Sequence, residues 1–158
     1  GYSPRMRFDL IVNTMYRCCV QDGKITVNNA SLWRPILDMR DAISGYLRAI
    51  QADYSISGVF NIASDNYTVG QVGDKVKDQM EKLLGKRIDL EIKHVTDARN
   101  YKVKTEKART VLGFEASYDV SDIIEDLHSH RDQYGDLDSE KYYNIRVFRR
   151  MNGSPALR

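Results

Sequence analysis

Apolar residues recur at helical spacing over residues 9–21, where Leu10, Ile11, Thr14, Met15 and Cys18 share a side. Asp9 is placed to cap that helix and Gly23 to stop it. Lys24 to Val27 is a short strand pattern, 28–32 a polar loop, and Trp33 to Met39 a second extended segment. Asp41 then opens a helix whose buried stripe is expected to be Ala42, Ile43, Tyr46, Leu47 and Ile50. Gly58 to Ala63 (Gly-Val-Phe-Asn-Ile-Ala) is the most strand-like run in the chain. Thr68 and Gln71 have the spacing of a capping box ahead of a helix carrying Val69, Val72, Val76, Met80 and Leu83, and Gly85 stops it.

From Arg87 to Val95, Ile88, Leu90 and Ile92 alternate with charged residues, as in a half-buried strand. A short helix is expected from Thr105 to Leu112, ending at Gly113. Another is capped by Asp119, with Val120, Ile123, Ile124 and Leu127 facing inward. After a break at 136–138, Ser139 to Met151 reads as a last helix. The succession is mixed α/β with short links, and no internal repeat or low-complexity stretch interrupts it.

The chain has 158 residues, 42% of them hydrophobic, enough for one globular core. Its net charge of +2 lacks the concentrated basic surface of a general nucleic-acid binder. Arg146, Arg149, Arg150 and Arg158 do cluster, and a solvated helix face or tail is the commoner meaning of such a cluster. No run of 18 apolar residues suggests a membrane span, and no signal-peptide pattern opens the chain. The adjacent Cys18 and Cys19 point apart on a helix, so free thiols in a reducing compartment, by default the cytoplasm, are expected. The opening Gly1-Tyr2-Ser3-Pro4 lacks a methionine and reads as a loop, the way a cut or processed chain begins.

A dinucleotide site needs a glycine-rich turn between strand and helix. Gly70-Gln71-Val72-Gly73 is the nearest candidate, but Val76 stands where a third glycine is needed and Thr68 already caps the helix. A tyrosine base made acidic by a lysine four residues on is also missing. None of the 10 tyrosines has a lysine at that distance. His128 and His130 lie two apart on a helix and diverge, and His94 stands alone, so no metal site is expected. Asp38, Asp41 and Asp97 read as caps or ion-pair partners. Arg34 beside Trp33, and Arg99 shortly before Tyr101, sit on loops next to strands, where guanidinium forks suit either phosphate oxygens or surface carboxylates.

Four stretches carry a resemblance: 3–13 (Ser-Pro-Arg-Met-Arg-Phe-Asp-Leu-Ile-Val-Asn), 33–41 (Trp-Arg-Pro-Ile-Leu-Asp-Met-Arg-Asp), 60–64 (Phe-Asn-Ile-Ala-Ser), and 97–103 followed by Lys107-Ala108 and Leu112-Gly113-Phe114. In this order and spacing the chain resembles the carboxyl-terminal portion of the NAD-dependent epimerase/dehydratase family. These are extended short-chain dehydrogenases/reductases acting on nucleotide sugars. Asp38 stands where the signature usually has histidine.

The resemblance implies an α/β fold: the substrate-binding portion of an extended Rossmann-type fold, with an incomplete sheet. Residues 1–135 would form the nucleotide-sugar-binding portion and 136–158 a terminal helix and tail. It implies that Arg34 and Arg99 grip the diphosphate of a nucleotide-diphosphate sugar. Phe8, Asp9 and Asn13 would line the pocket, Val27 and Asn28 would lie by the base, and Tyr101 would follow the subgroup pattern. Asn28 replaces the aromatic that relatives often place there. NAD and the catalytic Tyr/Lys pair would belong to an amino-terminal portion, and the intact enzyme would be a candidate homodimer. A free-standing, non-catalytic nucleotide-sugar-binding module is the alternative.

Overall fold

In a computed structural model of the chain, residues 1–96 and 99–151 are described. The chain order is α1 (Ile11–Asp22), β1 (Lys24–Asn28), β2 (Trp33–Ile36), α2 (Met39–Gln51), β3 (Asp65–Thr68), α3 (Val69–Leu84), β4 (Asp89–Lys93), α4 (Glu106–Leu112), α5 (Val120–Ser129) and α6 (Asn144–Met151). Two 3-10 turns, Arg131–Gln133 and Glu140–Tyr142, separate α5 from α6. β1 pairs in parallel with β4, Thr26 opposite Glu91, and β2 pairs antiparallel with β3, Arg34 opposite Tyr67. Among the described residues each sheet stops at two strands. The sheet is incomplete.

α1, α3 and α5 pack together over β1. The inward faces of α3 and α5 are the expected ones, Val72, Val76 and Met80 from α3 and Ile123, Ile124 and Leu127 from α5, whereas α1 is rotated from its expected stripe: Val12, Met15, Tyr16 and Cys19 are buried, Cys18 is half-buried and Leu10 is exposed. Burial raises the Cys19 thiol to about 12, and both cysteines are free. The caps explain the boundaries. Thr68 accepts from the Gln71 amide at 3.1 Å while Gln71 accepts from the Thr68 amide at 2.8 Å, and Asp119 with Asp122 repeats the device on α5. Gly23, Gly85 and Gly113 close α1, α3 and α4 in the left-handed conformation. Phe8 meets the rings of Tyr134 and Tyr142 edge-on at 5.4 and 5.2 Å, so the segment after residue 135 shares the core of the rest.

Several expectations need correction. Asp9 does not cap α1. Leu10 takes that position and Asp9 forms a two-pronged ion pair with Arg7, while Asn13 and Thr14 donate back to the carbonyls of Arg7 and Phe8. The second extended segment ends at Ile36, because Asp38 accepts from the Arg40 amide at 2.7 Å and starts α2 early. Leu83 is exposed rather than core, and Ile92 is 56% exposed. The last helix is shorter than expected and begins at Asn144. β3 is a polar Asp-Asn-Tyr-Thr run with no strand pattern in the sequence.

The largest departure is α2. Its buried positions are Asp41 and Gly45, whereas Ile43, Tyr46, Leu47 and Ile50 are 52%, 70%, 51% and 78% exposed. At about 100° per residue these two sets lie on opposite sides of the helix. The strand-like run 58–63 forms no ladder either. Asp97 and Arg158 lie outside the described residues.

Asp41 anchors α2. It is 2% exposed and accepts from the amides of Ser117 and Tyr118 at 3.0 and 3.1 Å and from the Ser64 hydroxyl at 3.2 Å. Asp41→Ala strands these donors and is expected to cost about 1–3 kcal/mol, read as a thermal midpoint about 2–4 °C lower per kcal/mol.

Acid should act through two other carboxylates. Burial pushes Asp38 up, but its hydrogen bonds with Arg40 outweigh this and hold its pKa below the ordinary 3.8. Asp119, opposed by burial in the same way, is lowered by Lys75 and the α5 amides. Because both folded pKa values are depressed, their contribution is complete above 3.8 and disappears as pH falls through the folded values. Denaturant titrations should show stability falling below about pH 4, with a shallower fall in the Asp38→Asn/Asp119→Asn variant.

Candidate active-site cleft

Asp9, Thr14, Thr26, Asn28, Arg34, Val69, Arg99 and Tyr101 line a cleft of about 390 Å³. It collects the approach to α1, the exposed side of β1, the middle of β2, the first residue of α3 and the 99–101 loop. Both arginines are therefore on one cleft, although 65 positions separate them.

Arg34 is held rather than loose. Its Nη1 donates to the Trp33 carbonyl at 2.8 Å and to the Arg99 carbonyl, and its guanidinium lies 5.9 Å from the Tyr101 ring centroid. The loop is fastened alongside β2 by further contacts. Asn100 accepts from the Trp33 amide at 2.9 Å, the Tyr101 amide reaches the Trp33 carbonyl at 3.5 Å, and the Lys102 ammonium sits 3.4 Å from the Trp33 ring centroid. Asn66 on β3 clamps both backbone groups of Val103 at 2.9 Å. Asn29, at φ 56, clamps Val95 at 2.6 and 3.0 Å and holds the ends of β1 and β4 together. The asparagine clamps were not anticipated, because a loop asparagine looks the same in sequence whether it clamps a strand or faces water.

The other site residues separate. Asn28 is exposed on the cleft wall, and Asp9 lines it already paired with Arg7. Asn13 lines a second, more apolar cavity of about 350 Å³ beside Arg5, Arg7, Pro35 and Met39. Phe8 and Val27 do not reach the cleft surface. Both are fully buried, Phe8 against two tyrosine rings and Val27 against Gly73. Position alternates along a strand, so placing Asn28 on the wall turns Val27 inward. Leu10, Ile11, Met15 and Val69, helix positions in the sequence pattern, supply apolar wall as well.

Glycines 70 and 73 serve the packing of the chain itself. A Cβ at Gly70 would stand 3.1 Å from the Ala30 carbonyl oxygen, and one at Gly73 only 2.6 Å from the Val27 side chain. Their bare faces are filled by the chain itself, letting α3 lie close against β1. Among the described residues no helix is long and apolar enough to cross a membrane, and no group of three or more metal-ligating side chains occurs.

Cutting the Arg34 tie tests the geometry. Arg34→Ala removes two charged-donor contacts, worth about 1.5–3 kcal/mol as a class. Hydrogen exchange at the Tyr101 amide should become roughly tenfold to a hundredfold faster, while amides in the middle of α3 stay unchanged.

No protein-family profile matches the chain, and no curated protein matches it in sequence. Solved structures do. UDP-glucuronic acid 4-epimerase from Bacillus cereus, in complex with UDP-glucuronic acid and NAD, superposes with a TM-score of 0.68 at 21% identity over 84% of this chain and 42% of its own. The Bordetella bronchiseptica enzyme WbmG, in complex with NAD and UDP, gives 0.63 at 22% identity, over 90% of this chain and 43% of that one. L-threonine dehydrogenase from Phytophthora infestans gives 0.63 at 17% identity over 77% and 41%. One fold thus serves reactions on different substrates, and fold alone does not fix the reaction. The chain has the fold found in part of the extended short-chain dehydrogenases/reductases, among them NAD-dependent nucleotide-sugar epimerases, and spans less than half the length of those enzymes.

Proposed function

We propose that this chain is the substrate-binding part of an NAD-dependent nucleotide-sugar epimerase or dehydratase, and that its cleft holds the nucleotide diphosphate. The observation that carries this reading is the meeting of Arg34 and Arg99 on one cleft. A diphosphate leaves water at great cost unless charged donors replace its hydration, and guanidinium groups do so with directed hydrogen bonds. Arg34 is pre-positioned by two carbonyls, which lowers the ordering cost of binding. Among the described residues the carboxylate on the wall, Asp9, is matched by Arg7 and so repels an anion less than a lone acid would. Asn28 offers an amide with both donor and acceptor at the same wall, suited to the edge of a base rather than to its face. The Bacillus cereus epimerase is solved with UDP-glucuronic acid and the Bordetella enzyme with UDP, which makes uridine diphosphate the first ligand to try.

In this reading NAD and the Tyr/Lys pair come from an amino-terminal portion, and the chain by itself positions substrate without converting it. Calorimetric titration with UDP should give saturable binding to the wild-type chain. Arg34→Ala and Arg99→Ala should each weaken it about tenfold to 150-fold, the equivalent of about 1.5–3 kcal/mol, with wild-type affinity falling as salt rises. Absence of UDP binding by a folded sample, or equal affinity in both variants, would sink the assignment. The same sample should show no epimerase turnover with UDP-glucuronic acid and NAD.

A further inference from the structure

α6 gathers three of the terminal arginines on a helix with two unlike sides. At about 100° per residue, Ile145, Val147, Phe148 and Met151 fall within about 160° of arc, and Arg146, Arg149 and Arg150 within about 100° on the other side. No residue of α6 is buried, and Ile145, Phe148 and Met151 are 55%, 59% and 73% exposed. Single apolar side chains in water are ordinary. A grouped apolar face beside a cationic edge is instead the pattern of a helix that lies in a water–lipid boundary.

The helix is anchored at its start and stands clear along its apolar side. Tyr142 and Tyr143, just before it, are buried, and their hydroxyls donate to the carbonyls of Tyr134 and Leu137. The Asn144 side chain accepts from Arg5 at 2.9 Å. Arg146 stands 4.0 Å from the Tyr143 ring centroid and donates to the Asp138 carbonyl at 3.2 Å. Residues 136–151, with Arg5 and Arg17 that bond to them, carry six cations (Arg5, Arg17, Lys141, Arg146, Arg149 and Arg150) against three acids, Asp136, Asp138 and Glu140. Asp138 is already paired with Arg17 and Glu140 with Arg150, so the remaining charge is positive.

We infer that α6 is a membrane-surface contact: Ile145, Phe148 and Met151 enter the headgroup boundary of an anionic bilayer while the arginines meet lipid phosphates. Size and charge together choose this occupant. A stable protein interface buries about 800 Å² on each partner, far more than three side chains offer on a helix about 12 Å long. A lipid surface sets no such minimum, because acyl chains close around whatever enters and every cation near the headgroups adds attraction. The contact lies on the bilayer and does not span it, in keeping with the absence of a long apolar helix among the described residues. None of the α6 residues lines the arginine cleft, so the inference stands apart from the functional reading above.

Flotation of the chain with vesicles of phosphatidylcholine alone, and of phosphatidylcholine mixed with phosphatidylglycerol, tests this at low and high salt. The chain should float with the mixed vesicles, stay behind with phosphatidylcholine alone, and be released as salt rises. Ile145→Ser/Phe148→Ser and Arg149→Glu/Arg150→Glu should each weaken partition about tenfold or more, while Arg149→Lys/Arg150→Lys keeps it. Thermal midpoints and UDP titrations of all three variants should match the wild type, since no residue of α6 is buried. Flotation with neither vesicle, equal flotation with both, or Ser and Glu variants that partition like the wild type would overturn the inference. So would polyglutamate bound as tightly as mixed vesicles, which would assign the arginines to an acidic polypeptide. A dimer broken by Ile145→Ser/Phe148→Ser would overturn it too, giving the apolar side to a second copy of the chain.

Discussion

The close approach of α3 to β1 governs the rest of the molecule. At position 73 a side chain would collide with Val27, so the helix settles onto the strand only because glycine is there. That contact fixes three things together. It sets the depth of the β1 wall that carries Thr26 and Asn28, and it brings Val69, the first residue of α3, into the cleft. Since Thr68 ends β3 and caps α3, it also fixes the level of the β2–β3 pair from which Arg34 projects. Gly70, packed under the Ala30 carbonyl, extends the same constraint toward the loop before β2.

The cleft is a polar seam laid over an apolar frame. Its long-range order comes from side-chain amides acting as substitutes for missing ladder bonds. Asn66 and Asn100 join segments that no sheet connects, and Asn29 prolongs the β1–β4 pairing beyond its last ladder position. Such clamps are short and directional and leave little freedom to the 99–103 stretch, so a flexible-looking loop keeps its arginine next to β2. The charges follow the same economy, since Asp9 on the cleft wall is matched by Arg7 before any ligand arrives.

What the sequence disclosed was whatever depends on local chemistry. The capping box at Thr68, the cap at Asp119, the glycine stops at 23, 85 and 113, and the inward faces of α3 and α5 up to Met80 and Leu127 follow from residues a few positions apart, and they are where expected. The parting of Phe8 and Val27 from the cleft was not legible, because which neighbour on a strand or turn faces inward is decided by distant partners such as Tyr134 and Gly73. The misreadings of the α2 stripe and of the run 58–63 have another origin. There the apolar periodicity marks a face without saying what covers it, and in the structure the α2 face is exposed and 58–63 forms no ladder. β3 was missed because Asp-Asn-Tyr-Thr has neither alternation nor apolar bulk, and it is a strand only through β2.

The chain has a single tryptophan, and that residue stands where the arginine-bearing strand and the clamped loop meet. Its carbonyl fastens Arg34, its amide is fastened by Asn100, and the Lys102 ammonium rests on its ring. An indole is sensitive to the position of a nearby charge, so any shift of the loop against β2 changes the electric field on that ring. The molecule therefore carries its own optical gauge at the mouth of the cleft, readable in unlabelled protein and silent to motions confined to α5 or α6.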